Sequence, residues 1–283
     1  MSAEVFWTPS GVRLRRRTAG PGPLNWLFLP GGPGIGSDSL HELVDSSNLP
    51  GTTWMVDLPG DGSNTDAPGA PADPYSEWPQ VLLEAADAVP NPIYVGHSTG
   101  GMYLLSTPDL ETRLTGLVLI STAPDSRWLP AFVAMTEQNP LPAVAAATST
   151  YEKDPTNEHL AEIAVASAAW NFGPNTIDAG RDLLGRMPYN KNAVNWSDQH
   201  FDQTYRATWL PKALPTLIIS GSDDRIVAQH LWDDDRFRRD NITRAIIDGG
   251  AHFAWMENPA AVRQSLQEFG RQVAPNREQS VKP

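Results

Sequence analysis

The chain of 283 residues contains no cysteine. Disulfide bonds and thiolate-ligated metal sites are thereby excluded, and nothing ties the chain to an oxidising compartment. It is also short of positive charge: 21 Lys and Arg stand against 33 Asp and Glu, giving a formal net charge of −12 at pH 7. That balance argues against nucleic acid or an anionic membrane surface as a partner. Long apolar runs are missing too. No stretch approaches the roughly 18 apolar residues of a membrane-spanning helix, and Met1 to Trp7 carry neither the basic nor the apolar segment of a secretory signal. The expectation is a soluble, cytoplasmic protein acting on a small molecule or short peptide. His41, His159, His200 and His230 show no ligand spacing, so no metal is expected, and no cofactor.

What the chain does contain is a series of short apolar runs at strand length: Val5–Trp7, Val12–Arg17, Trp26–Leu29, Thr53–Val56, Ile93–Val95, Leu117–Ile120, Leu217–Ile219 and Arg244–Ile247. Helical patterns alternate with them, as at Glu77–Val89 and Pro259–Val273. Alternation of this kind predicts an α/β fold with a mainly parallel sheet of about eight strands and helices on both faces. The second run, rich in arginine (Arg13, Arg15, Arg16, Arg17), is read as a solvated edge strand that resists aggregation.

Three of the runs stop at turns that carry reactive side chains. Ile93-Tyr94-Val95 leads into Gly96-His97-Ser98-Thr99-Gly100-Gly101, a Gly-x-Ser-x-Gly turn opening into a helix. Glycines are needed there because the chain reverses sharply with neighbouring backbone close by, and the reversal lifts the serine oxygen above the sheet. An isolated match of this kind is a weak signal. It gains weight from Asp223-Asp224 after Leu217–Ile219, and from His252 in the loop after Arg244–Ile247. The candidate catalytic residues are therefore Ser98, Asp224 and His252, in the chain order Ser, Asp, His. Asp125, after Leu117–Ile120, is the rival acid. His97 is read as a packing histidine, and Asp57 as a structural residue holding a loop over the site.

On these motifs, with Gly31-Gly32-Pro33-Gly34, Asp57-Leu58-Pro59-Gly60 and Glu257-Asn258-Pro259, the chain resembles the α/β-hydrolase superfamily from about Asn25 to about Val273. The resemblance is nearest to the proline iminopeptidase-like branch of small serine hydrolases, although Pro30 stands where those peptidases carry histidine. It implies an α/β-hydrolase fold with a helical cap inserted after strand 6. It also places Asp224, fourth in a Gly-x-x-Asp turn, as the acid, and the backbone N–H groups of Gly32 and Thr99 as the oxyanion hole. The implied chemistry is acyl transfer: His252 takes the Ser98 proton during attack on an ester or amide carbonyl and returns it to the leaving group.

The expected division is a core over residues 1–124 and 212–275, a helical cap over 125–211 and a flexible tail over 276–283. Helical stretches are expected at Leu129–Met135, Glu158–Trp170 and Asn175–Met187, with no strand in that region. The aromatics Trp128, Phe132, Trp170, Phe172, Tyr189, Trp196, Phe201 and Tyr205 are the pocket candidates, of which Trp128, Phe132, Trp170, Phe172 and Tyr205 are taken as the substrate contacts. Carboxylates in this region are interleaved with Lys and Arg and form no clear acidic focus for a protonated amino terminus. Esterase, amidase or aminopeptidase, lactonase and carbon–carbon bond hydrolase all fit the same triad, and a non-catalytic ligand-binding protein on the same fold is the alternative from another class.

Overall fold

The computed structural model describes residues 4–274. The tail expected from residue 276 lies outside them. The eight apolar runs form one sheet: β1 (Val5–Trp7), β2 (Arg13–Ala19), β3 (Asn25–Leu29), β4 (Thr52–Asp57), β5 (Pro92–His97), β6 (Gly116–Ile120), β7 (Thr216–Gly221) and β8 (Ile242–Ile247). Their spatial order is β1-β2-β4-β3-β5-β6-β7-β8. β1 and β2 pair antiparallel, as do β2 and β4, and every other neighbour is parallel.

Side chains alternate between two cores, as a period of two along each strand requires. In β3, Leu27 and Leu29 enter the core on one face, and Trp26 and Phe28 the core on the other. Tyr94 of β5 faces the first, and Ile93 and Val95 the second. Helix α1 (His41–Ser47) follows β3. Helices α2 (Trp78–Asp87) and α3 (Thr99–Leu105) cover the first face with Trp78 and Tyr103. Strands β3 to β7 are thus sealed on both sides, which is why they read as continuous apolar runs.

β2 corrects the edge assignment. It lies between β1 and β4, and its arginines are satisfied by ion pairs: Arg13 to Asp57 at 2.9 Å, Arg15 to Asp38 at 2.6 Å and Arg17 to Asp45 at 2.6 Å, with Arg16 on Glu4. The edge is β1, which is only three residues long.

Between β6 and β7 the strand rhythm gives way to six helices: α4 (Trp128–Gln138), α5 (Pro142–Lys153), α6 (Asn157–Ala166), α7 (Ala168–Asn171), α8 (Ile177–Gly185) and α9 (Lys191–His200). The expected single helix from Glu158 to Trp170 is broken at Ser167, whose hydroxyl turns back onto the Ala164 carbonyl at 2.8 Å. The chain closes with α10 (Ala254–Glu257) and α11 (Pro259–Val273), whose first turn is capped by the Asn258 side chain accepting from Ala261 N–H. α11 buries Val262, Leu266 and Phe269 on the second face.

Candidate active site

Strands β3 and β5 lie side by side, with Leu29 level with Gly96, while β4 flanks β3 on its other side. The loops leaving β3 and β5 therefore emerge together where the strand order reverses, the place at which open α/β sheets bind ligands. At the end of β5, Ser98 sits at φ 51° and ψ −125°, a backbone conformation that L-residues rarely adopt. Two hydrogen bonds hold the turn: Ser98 N–H donates to Ile120 O at 2.9 Å, and Gly101 N–H donates to Ser98 O at 3.0 Å.

Two of its glycines are required by close approach. A β-carbon on Gly96 would fall 2.8 Å from Gly101 Cα, and one on Gly100 only 2.3 Å from the Pro30 carbonyl oxygen. The loop after β3 presses equally hard on the serine. A β-carbon on Gly31 would lie 2.5 Å from Ser98 Cβ and 3.2 Å from Thr99 N, and Gly32 itself takes φ 121°. Thr99 is the first residue of α3, so helix geometry leaves its N–H without an intrahelical acceptor.

Asp224 and His252 are in contact. Both carboxylate oxygens of Asp224 lie 3.2 Å from His252 Nδ1, and the Asp224 side chain is fully buried. The carboxylate is held by Ile226 N–H (2.9 Å), Val227 N–H (3.0 Å) and the Gln229 amide (3.2 Å). The rival Asp125 faces elsewhere, taking both oxygens to Arg127 at 2.8 and 2.7 Å. Asp223 is exposed and accepts only from Ser222 Oγ among the described side chains.

His97 is buried and does more than pack. Burial above all, with the neighbouring His252 adding, pushes its pKa well down, so the ring is neutral. Its Nε2 lies 3.0 Å from the His252 carbonyl oxygen, an acceptor, which fixes Nε2 as the protonated nitrogen. Asp57 holds the loop as expected: one oxygen accepts Ser37 N–H at 2.7 Å and the other takes Arg13 at 2.9 Å. Nearby Asp61 accepts Gly34 N–H at 2.8 Å, so the loop carrying Gly32 is anchored one turn further on.

Ser98, His252, Gly32 and Thr99 line one cavity of about 260 Å³. Its far wall comes from the helical insertion: Leu160, Ile163 and Ala164 form a stripe along α6 that Ser167 continues at its end, joined by Asn171, Leu184, Tyr189 and Val194. The wall contains no Asp, Glu, Lys or Arg. Tyr189 donates to Leu184 O at 3.0 Å, and burial pushes its phenol pKa up, so it too is neutral.

Of the five aromatics expected to contact substrate, only Trp128 lines this cavity, joined by Tyr189 from the wider set of candidates; the buried indole N–H of Trp128 has no partner among the described residues. The other four are spent on packing. Trp170 donates to Asn139 O at 2.9 Å and meets Phe132 edge-on at 5.9 Å. Phe172 stacks on Phe253 at 4.8 Å, and Tyr205 donates to Ala123 O at 3.0 Å. Phe132 borders a separate cleft behind Asp224. Large rings gain most from burial, so Phe172 and Tyr205 pack against the core and Trp170 and Phe132 against each other, while smaller aliphatics form the wall. The signal that could have found that wall is the spacing 160, 163, 164, 167, one face of a helix. Among the described residues, no group of three or more His, Cys, Asp or Glu is placed to hold a metal ion.

The sequence pattern of the alpha/beta hydrolase family matches residues 26–265. A pimeloyl-(acyl-carrier protein) methyl ester esterase of Xylella fastidiosa (strain M12) is 31% identical over 98 residues, 35% of this chain and 36% of that protein. The match thus spans about a third of that relative's length. Solved structures extend the likeness over nearly the whole chain. A proline iminopeptidase of Mycobacterium smegmatis superposes with a TM-score of 0.66 at 18% identity, covering 95% of this chain and 98% of that one. An alpha/beta fold family hydrolase from Bacillus anthracis str. Sterne gives 0.72 at 16%, covering 94% and 98%. A thermophilic esterase from Thermogutta terrifontis gives 0.70 at 18%, covering 96% and 100%. At these identities the likeness is one of fold.

Proposed function

The chain belongs to the alpha/beta hydrolase family, and we propose that it is a serine hydrolase acting on small uncharged esters. Ser98 is the nucleophile, His252 the base, Asp224 the residue that fixes the base, and the N–H groups of Gly32 and Thr99 the oxyanion hole. With Nδ1 of His252 facing Asp224 at 3.2 Å, Nε2 is the nitrogen left to take the serine proton. Ser98 Oγ bonds to the ester carbonyl carbon, and the negative charge moves to the carbonyl oxygen, where the two N–H groups meet it. The tetrahedral adduct collapses, the carbon–alkoxide bond breaks, and His252 gives its proton to the departing alcohol. Water, deprotonated by the same histidine, then attacks the acyl-enzyme, releasing the acid and restoring the serine. The helices between residues 125 and 211 act as the cap that completes the substrate wall.

The observation that carries this reading is the cavity wall, in which Ser98, His252, Gly32 and Thr99 meet aliphatic side chains and no charged one. An aminopeptidase must neutralise a protonated amino terminus, and an unpaired ammonium buried in such a pocket is costly. The acid pair of the insertion does not serve: Asp202 accepts Ser197 Oγ at 3.0 Å, and neither it nor Asp198 lines the cavity. The volume sets the scale. At roughly 30 Å³ per water-sized group there is room for on the order of nine such groups, a short acyl chain with a small alcohol. The unpartnered Trp128 N–H offers a donor to a substrate oxygen.

The test is intact-mass analysis after treatment with a fluorophosphonate, on wild type and Ser98→Ala, followed by competition among small esters, lactones and proline aryl amides. The expected result is a single adduct that the alanine variant lacks, with neutral esters as the best competitors. The variant should lose ester turnover by several orders of magnitude, on the order of 10⁴-fold or more. An unlabelled, folded wild type would favour the ligand-binding alternative, and preferential competition by proline amides would return the aminopeptidase.

A further inference from the structure

We propose that Glu257 is a positioning residue that ties the loop bearing His252 to the helical insertion, so that the base is held in place only while the insertion is docked. The inference rests on the serine-hydrolase reading of Ser98 and His252.

Glu257 ends α10, five residues after His252, and its carboxylate bridges two parts of the chain far apart in sequence. Oε1 accepts the Gly173 N–H at 3.0 Å and the Thr176 hydroxyl at 2.6 Å. Oε2 accepts the Ala251 N–H at 3.2 Å, the peptide immediately before His252. Three donors therefore meet one carboxylate, two from the insertion and one from the base loop. Such bonds to an ionised acceptor are roughly twice as strong as neutral ones. Gly173 permits the approach, since a β-carbon there would stand only 3.3 Å from Glu257 Cγ.

The neighbouring peptide is docked in the same sense. His252 N–H donates to Asn171 O at 3.1 Å, at the end of α7, and the next residue pair stacks, Phe172 on Phe253. Residues 251–253 thus lie against 171–176 through hydrogen bonds at two successive peptides and one ring stack. Asn171 also lines the substrate cavity. A displacement of this segment reaches the substrate wall and the base loop together. Asp224 fixes the orientation of the imidazole, but the backbone carrying it is placed by contacts that cross to the insertion.

Glu257→Gln keeps the shape and one carbonyl acceptor while turning the other acceptor into a donor that faces N–H or O–H. Thr176→Val cuts the strongest link from the insertion side and leaves the Ala251 bond intact. For Glu257→Gln the expected result is a fall in kcat on a neutral ester of about 10- to 100-fold, the scale of a misplaced catalytic group. KM should stay within about two-fold of wild type, with a parallel fall in the rate of fluorophosphonate labelling of Ser98. Thr176→Val should lose several-fold in kcat, and the double variant should be no worse than Glu257→Gln alone, as for two residues acting through one link. Wild-type kcat and labelling rate in a folded Glu257→Gln overturn the proposal, as does additive loss in the double variant. If Glu257→Gln does not fold, an unaltered labelling rate in Thr176→Val overturns it. A wild type that does not label at all instead points to failure of the serine-hydrolase reading.

Discussion

The sheet and the helical insertion are built to different standards of burial. Every residue of β5, β6 and β7 is buried, while no residue of α4, α5 or α6 is. Ser98 and Asp224 follow the buried strands β5 and β7, while His252 lies in the loop after β8, an edge strand of which only Ile247 is buried. Much of the proposed substrate wall hangs from half-exposed helices. On the proposed mechanism the nucleophile and the acid are thus attached where displacement would open a packed core, and the surface that would select substrate is attached where it can be altered cheaply. The two regions meet at the loops that carry the proposed catalytic residues. Asn190 N–H donates to Gly34 O at 2.8 Å and its amide to Gly60 O at 2.7 Å, on one side, while residues 171–176 grip the base loop on the other.

The largest effect that would break this contrast is steric. In Gly100→Ala the new methyl would sit 2.3 Å from Pro30 O and 2.9 Å from Leu29 O, buried backbone atoms where β3 ends and its loop begins, which cannot rotate away. We expect at least about 3 kcal/mol of destabilisation and no measurable labelling of Ser98. The matched change in the insertion is Gly185→Ala, where the methyl meets Val165 Cγ2 at an ordinary 3.7 Å. That change should be neutral or stabilise by up to about 1 kcal/mol through helix propensity. Urea denaturation of both variants makes the comparison, and equal stabilities would show that the two regions do not differ as argued.

A second comparison uses one buried acid from each region. Burial chiefly, with Asp57 adding, raises the Asp61 pKa to about 7, against the N–H groups of Gly34, Gly62 and Gly36, which favour the carboxylate. Burial likewise raises Asp202, in the insertion, to about 6. An unfolded Asp titrates near 3.9. Between about pH 4 and 7 the folded state therefore holds a proton at Asp61 that the unfolded state has lost, and stability falls as pH rises through that window. The bound on this term is about 4 kcal/mol, at 1.36 kcal/mol per unit. His97 acts in the opposite sense: neutral when folded, it makes the protein less stable as pH drops below about 6.5. Denaturation of wild type and Asp61→Asn at pH 5 and pH 8 isolates the first group. The variant should lose the part of the decline that Asp61 causes, and Asp202→Asn should remove a smaller part, ending nearer pH 6. An unchanged pH slope in Asp61→Asn would mean that the loop carboxylate is ionised throughout.

Legibility in the sequence follows the same division. Strands β3 to β7 could be placed because residues sealed on both faces leave an unbroken apolar run, and the candidates Ser98, Asp224 and His252 stand out in the sequence because the runs before them stop at turns rich in glycine or aspartate. β2 was misread as an edge because its four arginines look solvated until Asp38, Asp45, Asp57 and Glu4 are seen opposite them. In the insertion, α5 and α9 carry no strong local signal: neither has a strong apolar face, α5 being mostly Ala, Thr and Ser, and α9 mostly polar or charged residues. The link from Glu257 to Gly173 and Thr176 joins residues more than 80 apart, and no local pattern announces it.

The smallest expected effect sharpens the comparison most, because it should separate selectivity from stability. Leu160 and Ile163 are half-buried members of the α6 stripe, and both line the cavity. Truncating Ile163 to alanine removes wall without opening a sealed core, so the unfolding midpoint should move by no more than about 1 kcal/mol equivalent, below the cost of a fully buried Ile→Ala. The selectivity change should be larger in relative terms. Methylene-sized differences in an apolar pocket are worth about 10-fold or somewhat more in kcat/KM. Ile163→Ala should therefore lose about that factor on a short acyl ester that touches the stripe, while acetate esters that do not reach it stay near wild type. Profiling kcat/KM against acyl length in wild type and variant reads this directly. A uniform loss across all lengths would place the acyl chain elsewhere and leave α6 a mere cover, whereas a loss that grows with chain length makes the α6 stripe the acyl wall.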